Sequence, residues 1–276
     1  MTAAASFTPI ALCADDYGQN QAIDSAVGSL LDMGRLSAVS CFSTAPRWHE
    51  QSAPLLRERT AIADCGLHLN LTENFGMTPG TATSLPLQIA RSYLHLLNRV
   101  QLRTMLHWQC DAFEAGLGRA PDFIDGHQHV HQLPVVRELL LELMQTRYAG
   151  QRVWIRNTLP ASPQWRGKAQ ILKRLGGAHL ALRLIQSGLA TNRGFGGVYG
   201  FDTDDYASRF ASWLTAAQPG MLLMCHPASA LQDNDAIAAQ RIVEYHFFSS
   251  AQFPSILESH AVRLQRLSAI IDDRLG

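Results

Sequence analysis

Four short clusters in this 276-residue chain bring carboxylates and imidazoles to places where an apolar run gives way to a polar one. Asp15 and Asp16 stand side by side in Ala14-Asp15-Asp16-Tyr17-Gly18. Adjacent carboxylates repel if both are buried without partners; they become useful when one binds a cation and the other stays free as a base. His68 lies among apolar residues in Gly66-Leu67-His68-Leu69-Asn70. The densest cluster is Asp125-Gly126-His127-Gln128-His129-Val130-His131. On a continuing strand Asp125, His127, His129 and His131 would share one face, because side chains repeat every two residues. Three imidazoles and a carboxylate on one face are costly unless something compensates them. A metal does so, with neutral imidazole as ligand and a carboxylate fixing its second nitrogen. His226 follows the apolar run Met221–Cys225 and is held by Pro227. Asp16, His68 and His127 are separated by 52 and 59 residues, so only the fold can unite them. An Asp-His-His set leaves coordination positions open, the mark of a catalytic site. Its mixed oxygen and nitrogen donors suit one divalent ion, Zn²⁺ or Mg²⁺, with Co²⁺ or Mn²⁺ as further candidates.

The elements that must position these residues read as alternating strands and helices. Pro9–Ala14, Leu36–Phe42, Ala61–Leu71, Phe123–Val130, Val153–Arg156, Met221–Cys225 and Ala261–Leu267 read as strands. Between them, helical spacing of apolar residues marks Gln19–Met33, Trp48–Arg59, Leu87–Leu117, Pro134–Thr146, Ala169–Gln186, Thr203–Ala217 and Ala236–Phe248. Thr72–Pro86 reads as a long loop and Gly194–Gly200 as a turn, and both are expected to shape a pocket. Strands joined by helical crossovers imply a parallel sheet covered by helices. One such sheet over this length has the size of a (β/α) barrel, whose carboxyl-terminal rim carries the active site. All four clusters fall at expected strand ends.

Composition narrows the partners. Lys+Arg and Asp+Glu both number 23, and 47% of residues are hydrophobic against 17% charged. Such a chain buries a core and gives no electrostatic reason to bind nucleic acid or an anionic membrane. The five cysteines are odd in number and form no C-x-x-C pair, which points to buried free thiols rather than a disulfide framework. The first basic residue is Arg35, so no basic leader is expected, and no apolar run has the length of a membrane span. The expectation is a soluble cytoplasmic protein.

Taken in order, Ala14-Asp15-Asp16-Tyr17-Gly18, Gly66-Leu67-His68-Leu69, Asp125 to His131 and Cys225-His226-Pro227 resemble the motifs of the YdjC-like carbohydrate deacetylases. That group includes chitooligosaccharide deacetylases and the hopanoid-associated HpnK proteins. Arg241-Ile-Val-Glu244 is loosely similar to the family's C-terminal end. Tyr17 stands where the family usually has Phe, and Gln19-Asn20 where it often has Leu-Ser. The stretch from about 157 to 220 carries no matching motif. The resemblance implies an α/β fold, a distorted (β/α) barrel of seven or eight strands forming one domain over residues 1–276. It implies a divalent metal on Asp16, His68 and His127, and hydrolysis of the acetyl group from an N-acetylated amino sugar of the N-acetylglucosamine or oligosaccharide type. It also allows a homodimer.

On this reading Asp15 is the base that takes a proton from water, and His226 is the acid for the leaving amine. His129 and His131 orient ligands or contact substrate, and Arg156 holds a sugar hydroxyl or a phosphate. Two other readings use the same residues. One is a metal-dependent hydrolase of another bond, such as a phosphoester or cyclic amide. The other is a non-catalytic sugar-binding protein, which needs neither Asp15 nor an open metal position.

Overall fold

Ile10 to Ala14 forms an unbroken apolar run because the strand it belongs to is covered on both faces, as parallel strands are. In the computed structural model that strand is β1 (Thr8–Tyr17), and its last eight residues are buried. The structure describes residues 7–75 and 82–273. Residues 1–6, 76–81 and 274–276 lie outside the described residues, and with them the ends of the expected 1–276 domain and the middle of the Thr72–Pro86 loop.

The remaining strands are β2 (Ala38–Cys41), β3 (Asp64–Leu69), β4 (Phe123–Gly126), β5 (Trp154–Ile155), β6 (Phe195–Gly196), β7 (Leu222–Cys225) and β8 (Val262–Leu264). They run in parallel in the order β5-β4-β3-β2-β1-β7-β6, and β8 pairs with the start of β1. Isolated bridges extend the two edges, Ile155 of β5 to Thr191 and Phe195 of β6 to Pro160. The result is the expected α/β architecture, a distorted barrel of short parallel strands. Among the described residues no helix is long and apolar enough to cross a membrane.

Alternation along β1 divides the core. Ala11 and Cys13 face a cluster with Phe123, Trp154, Phe195, Leu222 and Met224, closed by Leu267 and Ile270 of the last helix. Ile10, Leu12 and Ala14 face the other cluster, among the surrounding helices. Phe123 and Trp154 stack with centroids 4.2 Å apart. Gly66 makes room for this pair, since a Cβ there would lie 2.3 Å from the Phe123 ring. Register sets the functional rim: Ala14 pairs with Cys225, and His68 pairs with Asp125.

Several expected elements differ. The strand expected over Phe123–Val130 stops at Gly126 and gives way to a 3-10 turn, His127–Gln132. Gln128 and His129 take φ values of 51° and 61°, so Asp125, His127, His129 and His131 do not share one strand face. Gly126 permits this fold-back, because a Cβ there would lie 3.0 Å from the His131 nitrogen. The expected helix Leu87–Leu117 is two helices, Leu85–Tyr93 and Arg99–Leu117, and the Asn98 side chain caps the second. Ala169–Gln186 is likewise divided into Lys168–Leu172 and Ala178–Gln186 around Gly176, at φ 111°. Leu267 is not in the last strand but opens the helix Leu267–Asp272. The Gly194–Gly200 turn contains β6.

Candidate active site

Neighbouring residues on a strand point to opposite faces, so Asp15 and Asp16 should part company. Asp15 continues the inward alternation of Ala11 and Cys13. Asp16 would face outward among the helices, but two features redirect it. Its φ is 68°, and the pairing of β1 with β2 shifts register between Ala14 and Tyr17. This bulge lets both carboxylates line one cleft. Asn20 then caps the helix Gln21–Asp32, its side chain accepting from the Ile23 N–H at 3.0 Å.

His68 is carried into the site by β3, and its neighbour on β4 is Asp125. His68 Nδ1 lies 2.6 Å from Asp125 Oδ1, and the Ser40 hydroxyl donates to the same oxygen at 2.5 Å. The carboxylate favours a proton on Nδ1 and leaves Nε2 toward the cleft, 3.4 Å from Asp16 Oδ1. His127, at the start of the 3-10 turn, places Nδ1 3.0 Å from the same Asp16 oxygen. Its Nε2 lies 3.5 Å from Glu73 Oε1.

Two buried arginines organise the carboxylates. Arg156 is fully buried. It donates through Nη1 and Nη2 to both oxygens of Asp15, each at 2.7 Å, and Nη2 is also 2.7 Å from Asp125 Oδ2. Arg241 donates through Nη2 to Asp16 Oδ2 at 2.7 Å and through Nε to Asp235 at 2.6 Å. Asp16 Oδ1 is buried and meets no guanidinium; its polar neighbours are the two imidazole nitrogens, neither of which gives it a well-aligned hydrogen bond. Burial disfavours the charged form of both aspartates, yet Arg156 holds Asp15, and Arg241 with His127 holds Asp16, well below the usual carboxylate range.

The histidines report the same field. Burial pulls His68 down, but Asp125, Asp16 and Asp15 outweigh it and push it up to about 10. His127 is raised in the same way by Asp16 and Glu73. Five carboxylates, those of Asp15, Asp16, Glu73, Asp125 and Asp235, face only two guanidiniums here. The centre therefore favours added positive charge. Asp16, His68 and His127 each offer a ligand atom, all within 4.8 Å of one another, so the donor set fits a divalent cation. Asp15, His68 and Asp125 are equally close, but Arg156 already occupies that position.

The cleft has a volume of about 310 Å³. Asp15, Asp16, His68, His127, His129 and His226 all line it. His226 follows β7, and its buried Nδ1 has no partner. Burial lowers it to about 4, so it is neutral near pH 7. Its backbone N–H donates to Glu244 Oε2 at 2.5 Å. Burial raises Glu244 to about 7.

The expected substrate contacts divide. His129 lines the cleft. His131 is turned beneath it, fully buried, with Nε2 3.0 Å from the Arg156 carbonyl oxygen. Arg156 is enclosed by Asp15, Asp125 and Cys13, so its guanidinium positions carboxylates instead of meeting a sugar hydroxyl or phosphate. Ser40, Glu73, Asp235 and Phe201 carry no motif and escape a reading of the sequence. Arg241 and Glu244 had a signal: their i, i+3 spacing puts both on the buried face of the helix Ala238–Ser249.

Residues 9–259 match the family described as YdjC-like protein. Carbohydrate deacetylases from Homo sapiens and Mus musculus are 32% and 29% identical over 148 and 150 residues. Each alignment covers 49% of this chain, and 45% and 47% of those proteins, so the match spans about half the length of these relatives. A solved structure from Enterococcus faecalis V583, provisionally assigned as a cellobiose-phosphate cleavage protein, superposes with a TM-score of 0.72. It is 20% identical over 96% of this chain and 99% of that one, a likeness of fold. With nearly the whole barrel matched, the chain belongs to the YdjC-like family.

Proposed function

We propose that this chain is a metal-dependent hydrolase that removes the acetyl group from an N-acetylated amino sugar. The observation that carries the reading is the bare, buried Asp16 Oδ1 facing His68 and His127, in a cleft shared with Asp15 and His226. The names of the human and mouse relatives support the substrate class.

Asp16, His68 and His127 would hold the ion, Zn²⁺, Mg²⁺, Co²⁺ or Mn²⁺. When bound, it polarises a carbonyl and makes water more acidic. Arg156 keeps Asp15 ionised, ready to accept the proton of the attacking water, and fixes its orientation through two hydrogen bonds. Low basicity is the cost of that clamp, so Asp15 depends on water already acidified. His226 starts neutral; it must gain a proton within the cycle before giving one to the leaving amine. His129 stands where a sugar substituent can reach it.

A neutral substrate suits this cleft better than a phosphoester. Its lining guanidinium, Arg241, is committed to Asp16 and Asp235, while Asp15, Asp16, Glu73 and Asp235 present negative charge. Five buried free thiols fit a reducing, cytoplasmic setting. A homodimer remains part of the proposal and is read by light scattering on the purified protein.

The test is acetate release from N-acetylglucosamine and its oligomers by purified protein. Activity is expected, with loss on chelation and recovery on adding back a divalent ion. Phosphoester or cyclic-amide hydrolysis without acetate release would favour the alternative hydrolase. Sugar binding without turnover of any of these would favour the binding protein.

A further inference from the structure

The charged wall of the cleft accounts for chemistry and leaves recognition of the sugar ring unexplained. The remaining lining includes an apolar group, Phe201, Met224, Ala236 and Ile237. Phe201 has a φ of 60°, a left-handed conformation that a bulky side chain rarely adopts. Such strain persists only where the surroundings impose it, and it gathers at functional sites.

The surroundings here are specific. On one side of Phe201 the Tyr199 hydroxyl donates to Glu244 Oε1 at 2.5 Å. On the other, the Thr203 N–H donates to Gln240 Oε1 at 3.1 Å. Gln240 and Glu244 lie one turn apart on the helix Ala238–Ser249, so the segment is pinned at both ends. The half-buried Phe201 ring meets His226 edge-on at 5.1 Å. It also lies 4.7 Å from the Tyr199 ring, with Lys168 Nζ 5.7 Å from its centroid. A backbone held in a strained state thus presents an aromatic ring to the cleft beside the proposed acid.

We propose that Phe201 determines specificity by packing against the C–H face of a pyranose ring, which directs the acetamide between Asp15 and His226. This rests on the acetamido-sugar reading above. Pyranoses with equatorial substituents expose an apolar C–H surface that an aromatic ring can cover, while their hydroxyl groups stay in water or meet polar side chains.

Phe201→Gly separates recognition from structure, because glycine accepts the left-handed φ without strain. Its unfolding temperature should stay close to that of the wild type, because relief of the left-handed φ offsets the ring's lost packing and the greater freedom of glycine in the unfolded chain. Its KM for the N-acetylglucosamine dimer should rise about tenfold, with kcat changed much less. Phe201→Trp should restore most of the KM. Binding of the same dimer to metal-free protein, read by saturation-transfer NMR, should weaken in Phe201→Gly and recover in Phe201→Trp. Unchanged KM and unchanged binding in Phe201→Gly would overturn the proposal. So would a loss that follows a lowered unfolding temperature and is not rescued by Trp. A wild type that binds the dimer through Phe201 without releasing acetate would overturn the reaction and leave the recognition standing. A wild type that neither binds nor hydrolyses it overturns both.

Discussion

Two buried arginine clamps serve the site, and each holds a pair of carboxylates. Arg156 takes both oxygens of Asp15 and one of Asp125. Arg241 takes Asp235 and only Oδ2 of Asp16. Asp15 is therefore neutralised at both oxygens, whereas Asp16 keeps Oδ1 bare toward two imidazoles. The difference shows how adjacent residues of one type acquire separate tasks. Each task is set by which oxygen a guanidinium occupies, since the two carboxylates are equally buried and both are held ionised.

The largest expected effects come from exchanging the two aspartates. Asp16→Asn should lose the metal and with it the activity. Asp15→Asn should retain the metal and lose about 10²–10⁴-fold in kcat, the usual range for a proton-transfer group. Metal content after dialysis, measured beside acetate release, separates the two. Metal lost from Asp15→Asn and kept by Asp16→Asn would reverse the assignment.

Next in size is the clamp itself. Arg156→Met leaves Asp15 and Asp125 buried without their counter-charge and should destabilise the fold by about 3–5 kcal/mol. The sign with pH follows from the shifts. In the wild type the folded value of Asp15 is depressed, so its stabilisation is present above the unfolded value of about 3.9 and fades as pH falls below it. Without Arg156, burial raises the folded value, and stability then falls as pH rises through it. Urea titrations at several pH values should show the deficit growing from acid toward neutral pH. A deficit independent of pH would mean that the arginine acts by packing alone.

A smaller effect is expected at Asp125, whose Oδ1 holds His68 Nδ1. Asp125→Asn weakens the hold on Nδ1 and should lower metal affinity by about 10–100-fold, the usual cost of losing such support. Competition with a fluorescent chelator measures it. Unchanged affinity would show that β3 alone orients the imidazole.

Much of this site could be read from residue order. The strand runs before Asp15, His68, Asp125 and His226 were visible because a parallel strand buried on both faces must be apolar. Their polar ends stood out against that background. The His-rich segment was legible in content but not in path. Alternation predicts a shared strand face, and the turn after Gly126 sends His127 to the cleft and His131 beneath it. Arg156 reads from the sequence as a substrate contact at a strand end because its partners, Asp15 and Asp125, are 141 and 31 residues away in the chain. Phe201 gave no signal, since a strained φ leaves no mark in residue type.

The sequence by itself determined the donor chemistry, the order of every strand but β6, and the rim on which the donors must gather. These follow from side-chain type and from the periods of buried strands and helices. Only the tertiary structure decided which donors face one another. A bulge turns Asp16 away from its strand's alternation, a left-handed turn divides the histidines, and two distant arginines select which carboxylate oxygen stays free. Each depends on contacts between residues far apart in the chain, and no local pattern encodes them.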